Sequence, residues 1–86
     1  MDIQFPLITV PDPENWGISI PVDVDGARRK CLITTEAIQD LAGVKTADMG
    51  QLREFVDIHR TEIEDRIRRK LEDGAAGTIV IDKGDV

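Results

Sequence analysis

The sequence is poor in several residue types, and each shortage excludes a class of site. Among 86 residues there are one cysteine, one histidine, two phenylalanines, one tryptophan and no tyrosine. A single cysteine cannot form an internal disulfide, and one cysteine with one histidine cannot build a Cys/His zinc site. Three aromatic rings leave almost no surface on which bases or sugars could stack. We therefore expect neither a metal nor another cofactor.

Long apolar runs and a basic N-terminal region are also missing. No stretch approaches the ~18 apolar residues of a membrane helix, and Asp2 stands where a signal peptide would carry positive charge. Lysine and arginine total 11 against 17 for aspartate and glutamate, which gives a formal net charge of −6. Because this mean field repels nucleic acid and anionic membranes, only a local basic patch could bind nucleic acid. We expect a cytoplasmic protein with no membrane partner.

What remains favours one compact domain. Hydrophobic residues make up 41% of the chain and charged residues 33%, so the chain is too apolar to be disordered. By size scaling, a chain of this length buries roughly 63% of its surface on folding, which allows one core. We expect residues 1–86 to form a single domain, with residues 1–7 as an N-terminal extension or edge strand.

The clearest local pattern is a β-hairpin centred on Asp25-Gly26. Residues 18–24 alternate between apolar and polar side chains, and Asp-Gly is typical of a two-residue hairpin turn. Pro21 lacks a backbone donor, so its strand lies at an edge or presents that position away from a neighbour. The turn fixes a register that predicts five facing pairs, namely Val24 with Ala27, Asp23 with Arg28, Val22 with Arg29, Ile20 with Cys31, and Ile18 with Ile33.

Two helices are expected after the hairpin. Thr34 or Thr35 caps a short helix that stops at Gly43, and Asp48 with Gln51 forms a capping box for one long helix that ends near Asp73. The long helix has an apolar stripe made of Met49, Leu52, Val56, Ile63, Ile67 and Leu71.

Two outer strands complete the predicted sheet. The first lies within residues 3–10, with 7–10 as its best part, and the last covers residues 78–82. Between the first strand and the hairpin, a proline-rich turn is expected to fold Trp16 back as an apolar lid. The order β-β-β-α-α-β predicts an α+β fold, in which a short and a long helix pack on one face of a small antiparallel sheet.

Four pieces of the sequence stand out together, namely the central run VDGARRKCLITTEAI at 24–38, the turn PDPENW at 11–16, the helix end IRRK at 67–70 and the final Asp85-Val86. Their order and spacing resemble a family of short bacterial proteins known as domain of unknown function 1488. The resemblance spans about residues 8–86, although Val10 and Val86 stand where aromatic residues are expected. It implies a small α+β bacterial protein without an established activity, and it supplies no catalytic residues.

Two basic groups are the candidate interaction sites. On the outer face of the hairpin, Arg28 and Lys30 lie beside Leu32. On the long helix, acidic residues one turn earlier are expected to neutralise much of the basic face. That helix group consists of Arg66, Arg69 and Lys70, with the expected pairs Glu62–Arg66, Glu64–Arg68 and Asp65–Arg69, and Lys70 has the least obvious partner.

Cys31 and His59 are the remaining residues that could take part in catalysis. Cys31 falls on the apolar face of its strand, which favours an inert buried thiol, and His59 falls at the margin of the apolar stripe, which favours a structural role. A Cys31–His59 nucleophile pair would also need an orienting group and an oxyanion hole, and the sequence signals neither.

The sequence therefore favours a non-enzymatic interaction or regulatory module that acts by surface contact. Leu32 beside Ser19 on the outer face, together with Pro21, predicts that two chains form a homodimer through an exposed strand edge. The first alternative is a nucleic-acid-associated regulator that uses a local basic patch. The last is a thiol-dependent enzyme that uses Cys31 and His59.

Overall fold

The computed structural model describes residues 1–86 as a five-stranded sheet with three helices. Short 3₁₀ turns at Pro13–Asn15 and Lys83–Asp85 complete the chain. None of the helices has the length and apolar character needed to span a bilayer. In chain order, the strands and helices are β1 (Ile3–Gln4), β2 (Val10–Asp12), β3 (Gly17–Val24), β4 (Ala27–Thr34), α1 (Thr35–Ala42), α2 (Met49–Ile58), α3 (Arg60–Glu72) and β5 (Ile79–Ile81).

The hairpin between β3 and β4 confirms the sequence prediction. Asp25 and Gly26 both have positive φ, 52° and 83°, as a type I′ turn requires. All five predicted pairs are present in the register. Ile18, Ile20 and Val22 are fully buried, so the predicted apolar face of β3 is the one that faces the core.

The α+β class is confirmed, but the sheet is mixed rather than wholly antiparallel. β1 and β2 pair with β3 in antiparallel orientation, whereas β5 pairs with β4 in parallel. The three helices lie between β4 and β5 in the chain. They carry the chain back to the end of the sheet at which β4 begins, so β5 runs in the same direction as β4. Turn signals alone do not reveal such a long crossover.

Pro21 lies in an inner strand, because β3 has neighbours on both sides. Counted from the turn, Pro21 and Lys30 form a non-hydrogen-bonded pair, so the Pro21 nitrogen points away from β4. On that side β1 ends at Gln4 and β2 begins at Val10, and no residue pairs with Pro21. The sequence offered two explanations for Pro21, an edge strand or a position that faces no neighbour, and the second is therefore correct. The prediction that 7–10 is the best part of the first strand is wrong, since only Val10 belongs to a strand.

The predicted long helix is two helices, which is a second correction. Its capping box at Asp48 is confirmed, and of the two threonines predicted to cap the short helix, Thr34 is the N-cap. The stop at Gly43, where φ is 72°, is also confirmed. The helix breaks at His59, whose φ and ψ are −97° and 22°. The break falls between Val56 and Ile63, where the apolar stripe is interrupted by polar residues.

The core lies between the inner face of the sheet and the helices. Trp16 is not part of it: the indole is 78% exposed, so the predicted lid is wrong. Trp16 ends the first 3₁₀ turn with φ 56°, and this left-handed backbone directs the ring to solvent. The buried core consists of Ile18, Ile20, Val22, Cys31, Ile33, Ala37, Ile38, Leu52, Val56, Ile63, Ile67, Leu71, Ile79 and Ile81.

Candidate interaction surface

The helices cover one face of the sheet and leave the other uncovered. Side chains alternate between the two faces of each strand, so the neighbours of the buried residues point outwards. We call the uncovered side the outer sheet face. On β2 to β5 it carries the side chains of Val10, Asp12, Ser19, Pro21, Asp23, Arg28, Lys30, Leu32, Thr34 and Val80.

A row of mostly apolar residues crosses this face. Strand register places Val10 opposite Ser19, Ser19 opposite Leu32, and Leu32 opposite Val80, and we call these four residues the apolar row. Val10 is 49% exposed and Val80 is 39% exposed. A sheet with one solvated face normally carries polar residues at such positions. The apolar row is therefore an exception to this pattern.

Gly17 makes room for the centre of the row. A Cβ at this position would lie 3.1 Å from Leu32 Cδ1 and still closer to the backbone of Ile33. The Leu32 side chain therefore leans over bare backbone, which leaves it half-buried within its own face.

The basic residues of the hairpin are paired on this same face. Arg28 contacts Asp23 through two hydrogen bonds, from Nε to Oδ1 at 2.9 Å and from Nη2 to Oδ2 at 3.2 Å. Lys30 Nζ lies 3.1 Å from Asp12 Oδ2. Hydrogen bonds from Arg28 lower the pKa of Asp23, and those from Asn15 and then Lys30 lower the pKa of Asp12. The outer sheet face thus balances two bases with two acids.

The helix group lies elsewhere, because α3 packs on the inner face of the sheet. Arg69 Nη2 pairs with Asp65 Oδ2 at 3.2 Å, as the spacing predicted. Arg66 pairs with the same Asp65 oxygen at 3.6 Å, and not with Glu62.

Two further helix predictions need correction. The expected pair of Glu64 with Arg68 is absent, because Glu64 pairs with Arg60 at 3.0 Å and Arg68 lies over the ring of Phe5. Lys70 does have a partner, since its Nζ lies 3.1 Å from Asp85 Oδ2. That partner belongs to the C-terminal 3₁₀ turn, which one-turn helix spacing cannot reveal. Neither basic group therefore forms an unneutralised strip.

Comparison with known proteins identifies the family but no activity. A family model described as "Protein of unknown function (DUF1488)" matches residues 3–81. The chain belongs to this family. No curated protein matches the chain. The fold is similar to the crystal structure of a DUF1488 protein of unknown function from Shewanella loihica, with 22% sequence identity, a TM-score of 0.86 and 94% of each chain covered.

Cys31 and His59 do not form an activated nucleophile pair in this DUF1488 member. Cys31 is fully buried, and burial raises the pKa of its thiol to about 12, although the charges of Lys70 and Arg60 act in the opposite direction. A thiol nucleophile needs access and a lowered pKa. His59 lies at the α2–α3 junction with Nδ1 3.5 Å from Glu62 Oε1, and no hydrogen bond joins it to Cys31.

The structure also places no cluster of three or more histidine, cysteine, aspartate or glutamate side chains where they could hold a metal ion. The sequence analysis placed one exposed feature wrongly, namely the ring of Trp16, which it expected to be an apolar lid. A positive φ at a tryptophan has no sequence signal, and only the following Gly17 marks a tight approach of the backbone.

Proposed function

We propose that this protein is a non-enzymatic interaction module that binds through the outer sheet face, and that its partner there is a second copy of the chain. The observation that carries the proposal is the uncovered apolar row across four strands. Removing Val10, Leu32 and Val80 from water would supply the driving force, at ~25 cal/mol per Å² of apolar surface.

The charges on the face favour self-association. The whole chain carries −6, so most pairs of surfaces from two copies repel each other. The outer sheet face is the exception, because its two acids lie on β2 and β3 and its two bases lie on β4. Two such faces can meet without net repulsion.

A two-fold axis parallel to the strands, between β3 and β4, fits this charge pattern. It places β3 of one copy over β4 of the other, so Asp23 faces the Arg28 of its partner while the apolar rows stack. Val10 then faces Val80 across the interface. The strands of the two sheets stay nearly aligned, as in a sandwich of two sheets.

The size of the face predicts a weak dimer. β3 and β4 have eight residues each and β2 and β5 have three, so at ~4.8 Å strand spacing and ~3.4 Å per residue the face covers about 350 Å², or about 700 Å² for both copies, which is below the range of stable specific interfaces. The strand edges offer less, since the free edge strand β5 has three residues and β1 has two. We therefore favour contact between faces over the edge pairing expected from sequence.

Substitution of the apolar row tests the proposal. Leu32→Glu should weaken dimerisation at least tenfold, because each interface would then bury two like charges. Sedimentation equilibrium from micromolar to millimolar concentration measures the effect against the 9.6 kDa monomer mass. Ile58→Glu is the matched control, since Ile58 is an exposed aliphatic residue on α2, away from the outer sheet face.

Three outcomes would contradict the proposal. One is a wild-type protein that stays monomeric over the whole range, and another is an equal loss in Ile58→Glu. The third is a dimer that survives Leu32→Glu, which would place the contact elsewhere, for example at a strand edge. Val80→Glu repeats the test at the end of the row, where substitution disturbs the hairpin least.

A further inference from the structure

The most exposed aromatic ring of the protein is held on a fixed piece of backbone. Trp16 is 78% exposed, and its φ of 56° is rare for a bulky residue. The Trp16 carbonyl accepts two hydrogen bonds from Thr35, from the backbone nitrogen at 2.7 Å and from Oγ1 at 2.8 Å. The ring therefore stands in solvent on an anchor that is tied to the start of α1.

The indole borders an open groove of about 420 Å³. The groove lies at the carboxyl ends of the parallel strands β4 and β5, where Thr34 Oγ1 donates to Asp82 Oδ1 at 2.9 Å. Besides Trp16, its lining residues are Thr34, Thr35, Glu36 and Asp82.

The groove is acidic, and no lysine, arginine or histidine lines it. Glu36 and Asp82 are the charged residues of its lining, and neither lies within ion-pair distance of any lysine, arginine or histidine. The acids of the outer sheet face differ, because Asp12 and Asp23 both have basic partners. Asp82 Oδ1 already accepts hydrogen bonds from Thr34 Oγ1 and from the Lys83 backbone nitrogen at 2.8 Å, so the acceptors left for a ligand beside the exposed indole are Asp82 Oδ2 and the Glu36 carboxylate.

We propose that this groove binds the guanidinium group of an arginine on a partner protein. A guanidinium is flat and weakly hydrated, so it stacks on an indole while its N–H groups donate to carboxylates. The carboxylates of Glu36 and Asp82 repel an anion, and a neutral ligand would leave them without a counter-charge. The net charge of −6 also draws a basic segment towards the protein.

This site is separate from the apolar row on which the proposed dimer depends. The groove lies at one end of the sheet and shares no lining residue with the apolar row. Each proposal can therefore fail while the other stands.

Intrinsic fluorescence gives a direct test, because Trp16 is the sole tryptophan and there is no tyrosine. The probe is the peptide acetyl-Gly-Arg-Gly-amide, and its control replaces arginine with citrulline, which keeps the shape and removes the charge. The arginine peptide should change the emission with a saturable curve and bind about tenfold more tightly than the citrulline peptide. Equal responses to the two peptides would overturn the proposal.

Variants locate the site. Glu36→Gln should weaken arginine-peptide binding about threefold, whereas Glu14→Gln should leave it unchanged, because Glu14 is an exposed acid of the preceding turn outside the groove. Trp16→Gly, measured by calorimetry, should abolish the binding, and glycine tolerates the φ of 56° so that the fold is kept. Equal weakening by Glu14→Gln, or full binding by Trp16→Gly, would also overturn the proposal.

Discussion

Replacing Gly17 with alanine should lower the free energy of unfolding by about 3 kcal/mol, at the upper end for an added methyl group. The new Cβ would lie 3.0 Å from the carbonyl carbon of Ile33 and closer still to its oxygen. These are backbone atoms of β4, so they cannot move aside as a flexible side chain would. Relief of the clash requires β3 and β4 to separate where Gly17 pairs with Thr34.

Chemical denaturation followed by circular dichroism measures this loss. Gly84→Ala is the matched control: no atom lies within 4 Å of its added Cβ and its φ is not positive, so its stability should stay within about 0.5 kcal/mol of wild type. A Gly17→Ala protein as stable as the control would mean that the β3–β4 contact is looser than described. Because Leu32 Cδ1 also lies 3.1 Å from the new Cβ, the substitution should weaken self-association as well.

Features encoded by neighbouring residues were predictable from the sequence. The hairpin register follows from Asp25-Gly26 and the alternation beside it, and the helix caps follow from the threonines at 34 and 35 and from the spacing of Asp48 and Gln51. The direction of β5 was not predictable, because its pairing with β4 depends on how three helices pack between them. The break at His59 was also missed, since neither glycine nor proline marks it.

The residues of the candidate surface were likewise only partly predictable from the sequence. Arg28, Lys30 and Leu32 were found from alternation along one strand. Val10 and Val80 were not, because the registers of β2 and β5 against the hairpin depend on contacts distant in sequence. The same limit hid the pairing of Lys30 with Asp12, 18 residues away. Alternation along a single strand therefore predicts the residues at the centre of the outer sheet face. The apolar row as a whole can be recognised only in the folded sheet.

The stability of the protein should fall in alkaline solution because of Cys31. Burial raises the pKa of the folded thiol from its ordinary 9.0 to about 12. Below pH 9 the thiol is protonated in both states and adds no pH dependence. Above pH 9 the unfolded state loses its proton first, so stability declines by ~1.4 kcal/mol per pH unit until the folded thiol also ionises.

Comparison with Cys31→Ala isolates this effect, since all other titrating groups are shared and their contributions cancel. Between pH 9 and pH 11, wild type should lose about 2 kcal/mol of unfolding free energy relative to the variant. A fully buried thiol should also react with a thiol reagent only as fast as the protein unfolds. Parallel pH curves for the two proteins, or rapid labelling of the folded state, would contradict the raised pKa and restore the case for Cys31 as a nucleophile. A raised pKa keeps the folded thiol protonated at neutral pH, and a protonated thiol is a poor nucleophile.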